Sequence, residues 1–208
     1  MKMQKILISA VVGVLAASAS AQTLRMANAN YPGIYCRFSS NCQISPTEQS
    51  DSWAPTNFPV TCVLASRSFP GTSADSNGHY GYEYQLTLNN NGSTDTNVLT
   101  VESLTLNFEQ PDSFAFGGHA SNQVWVVVSG GPAGVAPASA DLAGSNVIIH
   151  FDPPLTLSTD TDQSTNTCYF GMMAGGAPKM TWATLTGSTQ DALDGTVPFK
   201  AKVQAQTP

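Results

Sequence analysis

The sequence predicts an all-β fold, an antiparallel β-sandwich of immunoglobulin-like type with about eight strands. Three observations carry this. Apolar and polar residues alternate at a period of two along several runs, as in strands with one buried face. Turn formers such as Gly130-Gly131-Pro132 and Asp152-Pro153-Pro154 separate the runs. No segment keeps a helical period over three turns.

The runs follow one another closely. Asn57 to Arg67 is a short apolar run. In His79 to Leu88 the residues Tyr80, Tyr82, Tyr84, Leu86 and Leu88 fall on one side, and Gly81, Glu83, Gln85 and Thr87 on the other. Asn89-Asn90-Asn91-Gly92 then supplies turn residues. Val98 to Phe108 places Leu104, Leu106 and Phe108 on one face, and Asn122 to Val128 is built around Trp125. Val147, Ile149 and Phe151 alternate with Ile148 and His150. Thr167 to Met172, Lys179 to Leu185 and Val197 to Ala205 complete the set. One-face alternation predicts antiparallel sheets with a solvated side. Residues 22–56 are less regular and read as an N-terminal extension, with the sandwich spanning 57–208.

Only 11% of the 208 residues are charged, against roughly a quarter in an ordinary soluble domain. Mean hydropathy is near zero at -0.07, so hydroxyl and amide residues fill the gap. The net charge of -6 and the pI near 4.7 argue against a nucleic-acid or anionic-membrane partner. Sparse charge argues equally against a coiled coil or a charge-driven disordered chain.

Lys2 and Lys5, the apolar run Ile6 to Ala17 and Ala19-Ser20-Ala21 have the form of a secretory signal peptide over residues 1–21. The run is shorter than the roughly 20 apolar residues a spanning helix needs. No later stretch is apolar enough to span a bilayer, so the expected location is secreted or periplasmic. Cleavage leaves 187 residues and removes two of the eight basic side chains, taking the formal charge to -8.

Four cysteines in an exported chain read as two disulfides. The expected pairs are Cys36–Cys42, closing a small loop, and Cys62–Cys168, joining two strand-like segments. A zinc site lacks the C-x-x-C or H-x-x-x-H spacing it would need.

Ser66-Arg67-Ser68-Phe69-Pro70-Gly71, followed by Tyr80-Gly81-Tyr82-Glu83-Tyr84, resembles a motif pair of a group of secreted bacterial β-rich proteins. Phe151-Asp152-Pro153-Pro154 and Tyr169-Phe170-Gly171 are similar to later landmarks of that group. The resemblance implies export and a β-rich fold, and it carries no activity.

Catalytic signals are few. The histidines are His79, His119 and His150, and no G-x-S-x-G nucleophile motif occurs. Glu83, Glu102 and Glu109 lie on predicted strands and read as surface glutamates; only a convergent pair would suit glycoside hydrolysis. Asp160 and Asp162, in the polar loop Ser158 to Thr167, are candidate calcium ligands, and Asp75-Ser76-Asn77-Gly78 is a second oxygen-rich turn. No other cofactor is expected. Asn91-Gly92-Ser93 fits a glycan acceptor. Tyr80, Tyr82 and Tyr84 form a stripe that reads either as core or as a sugar-stacking platform, with Trp53 the tryptophan expected at the surface. The resulting expectation is an exported, non-catalytic protein that binds an extracellular or cell-surface polymer or protein. The alternatives are a carbohydrate-binding module and a small secreted hydrolase.

Overall fold

The computed structural model describes residues 21–93, 96–161, 163–191 and 195–208. The expected leader therefore lies outside the described residues except for Ala21, and so does Asp162. Among the described residues the strands are β1 (Gln22–Thr23), β2 (Met26–Asn30), β3 (Thr47–Trp53), β4 (Val60–Pro70), β5 (Tyr80–Asn90), β6 (Asn97–Asn107), β7 (Phe114–Phe116), β8 (His119–Asn122), β9 (Val124–Ser129), β10 (Ser139–Ala143), β11 (Asn146–Ser158), β12 (Ser164–Asn166), β13 (Phe170–Ala174), β14 (Lys179–Asp191) and β15 (Gly195–Thr207). A 3-10 turn covers Tyr35–Arg37.

Thirteen of these strands form an antiparallel β-sandwich, and β7 and β8 pair in a separate two-stranded sheet. One sheet has the order β1-β10-β11-β6-β14-β15. The other runs β2-β9-β13-β5-β4-β3, with β12 also paired to β5. The one parallel pairing between named strands is β2 with β9. Between the sheets lies a core to which both contribute. Leu64, Tyr82, Tyr84, Leu86, Val126 and Phe170 come from one side, and Leu104, Val147, Ile149, Leu185 and Val203 from the other. The alternation along β5 therefore selects its inner face as expected. Tyr84 crosses the core, its hydroxyl donating to the Gln206 carbonyl at 2.7 Å.

All eight predicted strand regions are strands, and the structure has more. Residues 22–56, expected to be irregular, contain β1, β2 and β3. Each lies at the edge of its sheet with one pairing partner. An edge strand need not alternate apolar and polar residues, so Thr47-Glu-Gln-Ser-Asp-Ser-Trp53 carries no strand signal in its hydropathy. β3 also guards the other sheet, because the Asp51 carboxylate accepts from the Gln204 amide of β15 at 2.7 Å. That occupies an edge donor which would otherwise invite a further strand.

The cysteine expectation is half corrected. Cys36 and Cys42 form a disulfide, whereas Cys62 and Cys168 are free, buried thiols. Cys62 lies on β4 opposite Leu88 of β5. Cys168 follows Thr167, whose amide bonds to Leu86 on the other flank of β5. One strand thus stands between them. Two strand spacings come to about 9–10 Å, beyond the roughly 7 Å Cα separation a disulfide tolerates.

Candidate functional site

The outer face of the sheet containing β5 was expected to be solvated, and its centre is covered instead. A second apolar cluster sits there, made of Ala29, Ile34, Phe38, Phe69, Phe114, Trp125, Val127 and Met173. Residues 31–44 fold over it. The Cys36–Cys42 disulfide closes that cover, the amides of Thr72 and Ser73 both bond to the Phe38 carbonyl, and Arg37 pairs with Asp75 at 2.9 Å. Two strand glycines make room for the aromatics. A Cβ at Gly81 would stand 2.2 Å from the Phe69 ring, and one at Gly171 would stand 2.5 Å from the Trp125 indole. Glycine within a strand commonly marks such a close approach.

This covered face encloses Glu83, whose side chain is 0% exposed, so the surface reading of Glu83 is overturned. Its carboxylate accepts from Arg67 Nε at 2.8 Å, from Trp125 Nε1 at 2.9 Å, from the Tyr31 hydroxyl at 3.1 Å and from the Tyr35 hydroxyl at 3.3 Å, while Arg67 Nη2, 2.7 Å away in the ion pair, donates to both tyrosine hydroxyls. Arg67 lies opposite Glu83 on the neighbouring strand and lays its guanidinium 4.0 Å from the Tyr169 ring centroid. Stacking on an aromatic face while donating to a carboxylate through Nε and to two hydroxyls through Nη2 is arginine chemistry that lysine cannot reproduce.

Burial pushes the Glu83 carboxyl up, and the Arg67 charge with the Trp125 and Tyr31 donors pulls it only part of the way back, so it stays above its ordinary value. Burial opposes the Arg67 charge, but Glu83 and the tyrosines more than offset it, so the guanidinium stays above its ordinary value. Burial, and the negative charge of Glu83, also push the Tyr31 and Tyr35 phenols above their usual range. A pocket of about 440 Å³ opens beside the cluster, lined among others by Glu48, Ser50, Arg67, Glu83 and Tyr169. Arg67 Nη1 lies 3.7 Å from Glu48 there. With both oxygens occupied by donors, Glu83 holds the covering loop in place rather than offering a free base.

The sequence-selected aromatics have separate fates. Tyr82 and Tyr84 are wholly buried, which rules out the exposed Tyr80–Tyr84 platform. Tyr80 is half-buried and lines a cleft of about 480 Å³ with Pro178, Lys179, Met180 and Gln206. Trp53 is half-buried, with its ring 4.6 Å from that of Phe199, because β3 packs against β15. The exposed tryptophan is Trp182, at 56%.

The titratable candidates do not converge. Asp160 is exposed and accepts from Ser158, and no group of three or more His, Cys, Asp or Glu gathers at a metal-binding distance among the described residues. His79 bonds to Asp112 at 2.8 Å and His150 to Asp141 at 3.2 Å, on different sheets. Glu102 is exposed, and Glu109 sits past the end of β6 at φ 58. Asn91 Nδ2 donates to the Thr61 hydroxyl at 2.9 Å.

An open recognition face lies on the other sheet. Ala183 and Leu185 point into the core, so Met180, Trp182, Thr184 and Thr186 of β14 point outward. Across the pairing, Trp182 faces Gln204, Thr184 faces Lys202 and Thr186 faces Lys200. The hydroxyls continue onto β6, where Thr105 pairs with Thr184 and Ser103 with Thr186. Sequence reasoning missed this face, although the Trp182-x-Thr184-x-Thr186 spacing carries its signal.

Among the described residues, no helix is long and apolar enough to cross a membrane. No family model matches the chain, and no curated protein matches it. Among solved structures, the chain is similar to the KRT10-binding region domain of the pneumococcal serine rich repeat protein PsrP. The two share 8% identity and a TM-score of 0.34, over 76% of this chain and 99% of that one. So distant a likeness speaks for neither fold nor ligand.

Proposed function

We propose that the chain is an exported, non-catalytic binding protein that engages a polymer or protein outside the cytoplasm through the outer face of β14 and β15. The observation that carries this is the grouping of exposed large side chains. Trp182 is 56% and Met180 42% exposed, side by side on the outward row of β14. Solvent-facing aromatics of this kind are typical recognition anchors. The signal-peptide pattern and the Cys36–Cys42 disulfide support an oxidising, extracytoplasmic location. The motif resemblance to secreted bacterial proteins supports the same location.

The non-catalytic reading rests on the Glu83 site, where the buried carboxylate is committed to Arg67, Trp125 and the two tyrosines. The test is retention of purified protein on immobilised polysaccharides and extracellular proteins, beside Trp182→Ala. Wild type is expected to be retained on at least one class and Trp182→Ala to be lost, with its melting temperature unchanged. Equal retention of both, or turnover of an ester, peptide or glycoside substrate, overturns the reading.

A further inference from the structure

We infer that the outer face of β14 and β15 binds an acidic polysaccharide, a polyuronate in chemical class, with Trp182 stacking on a sugar ring and Lys200 and Lys202 pairing with its carboxylates. This rests on the binding reading above and names the ligand of the same face. Whole-chain charge argues against any anionic partner, and the placement of the lysines reverses that argument locally. Beyond the expected leader the chain has only three lysines, Lys179, Lys200 and Lys202. All three lie on β14 and β15, Lys200 and Lys202 on the row that shares the face of Trp182 and Lys179 on the alternate row, beside Tyr80.

The arginines are placed differently. Arg67 is sunk in its pair with Glu83, Arg37 is paired with Asp75, and Arg25 donates to the Ser121 hydroxyl at 3.1 Å, away from β14 and β15. No lysine makes a salt bridge among the described residues, so Lys200 and Lys202 face solvent with their charges uncommitted. An exposed lysine is ordinarily solvated, so it is the pairing of two such charges with an exposed tryptophan on one face that makes a local positive strip able to attract an anionic chain.

The geometry suits a flat, hydroxylated, charged chain. Lys200 and Lys202 are two residues apart on one strand, about 6.6–6.8 Å along it, and Gln204 continues the row beside Trp182. One strand over, Thr184 and Thr186 offer hydroxyls in register with both lysines. Thr105 and Ser103 extend that hydroxyl field onto β6. A sugar ring presents an apolar face to an indole and hydroxyls at its edges, which matches Trp182 set into this field. Glu102 lies close by, lining a shallow groove with Lys200 and Pro198, and it bounds the positive strip. A nucleic acid would need a longer basic track for its phosphates than two or three lysines supply.

The experiment is affinity electrophoresis and calorimetry with polygalacturonate and alginate, against dextran and a single-stranded DNA oligomer. Wild type is expected to bind the polyuronates, and binding to weaken at least tenfold between 50 and 500 mM NaCl as the lysine contacts are screened. Trp182→Ala is expected to weaken binding at least tenfold. Lys200→Gln with Lys202→Gln is expected to weaken it at least fivefold and to flatten its salt dependence. Val128→Ala, at an exposed residue of β9 in the other sheet, serves as the control expected to bind normally. Equal binding to dextran, salt-independent binding or preference for DNA overturns the polyuronate inference while leaving an exported binding protein. Loss of all retention, including on proteins, overturns the binding reading as well.

Discussion

Replacing Glu83 by Gln tests whether the buried ion pair holds the covering layer in place. The substitution keeps the shape and removes the charge. Glu83 is 0% exposed and Arg67 14%, so the guanidinium would be left with no buried counter-charge. Removing one partner of a buried pair costs about 3–5 kcal/mol. The new amide also turns one acceptor into a donor, facing the N–H and O–H groups of Arg67, Tyr31, Tyr35 or Trp125. An unsatisfied buried donor costs about 1–3 kcal/mol. These costs overlap, and Arg67 keeps Nη1 near the pocket and Glu48, so we expect a total of about 3–4 kcal/mol. Urea unfolding followed by tryptophan fluorescence reads it directly. With a slope of about 2–3 kcal/mol/M, the midpoint falls by about 1–2 M. Because a lysine keeps the charge but offers one nitrogen where Arg67 uses two, Arg67→Lys should land between wild type and Glu83→Gln. Arg67→Met combined with Glu83→Gln should cost less than the two single changes together, because neither charge is then left alone. A loss below about 1 kcal/mol for Glu83→Gln, or strict additivity in the double variant, would refute the reasoning.

Four further outcomes follow from the same structure. Cys62 and Cys168 are buried free thiols, and burial pushes the Cys62 thiol up to about 12. Neither should react with iodoacetamide at pH 8 until the protein unfolds, and native labelling or a Cys62–Cys168 peptide would contradict this. Tyr31, Tyr35, Tyr82 and Tyr84 are all held above the ordinary phenol value of about 10, chiefly by burial. An acid raised in the folded state stabilises below its unfolded value and loses that contribution above it. Stability should therefore hold to about pH 9.5 and then fall by about 1.4 kcal/mol per pH unit for each such tyrosine, read by urea melts from pH 8 to 11. Cys36→Ser with Cys42→Ser opens a loop of only about seven residues, so the chain-entropy cost is about 2 kcal/mol. Tryptophan fluorescence should shift as the cover over Trp125 loosens. Gly171→Ala would push a methyl against the indole and the Tyr82 carbonyl, and should cost about 1–3 kcal/mol in thermal melts.

Local period and turn chemistry made the strands readable. The inward-facing residues of β5, β6 and β11 are those the alternation selects, because which side of a strand a residue occupies depends on the strand alone. The short cystine was readable for a similar reason, since six residues of separation leave little choice of geometry. What lies on top of a strand face is not local. Glu83 reads as a surface residue from its neighbours, and becomes the most enclosed charge only because residues 31–44 fold over it from another sheet edge. The sequence did hold hints of this. Gly81 and Gly171 sit where a solvated face would tolerate any side chain, and Tyr31, Tyr35 and Phe38 crowd a segment otherwise lacking a strand pattern.

The all-β class and the inner core were thus decided by the sequence itself, through patterns spanning a few residues. The pairing of Cys62, the burial of Glu83 and the exposure of Trp182 in place of Trp53 were decided only by tertiary structure. Each depends on which distant segment arrives alongside. The lysines show this most plainly. Along the chain Trp182 and Lys202 are 20 residues apart and carry no message, and it is the pairing of β14 with β15 that sets them side by side on one face of an acidic protein.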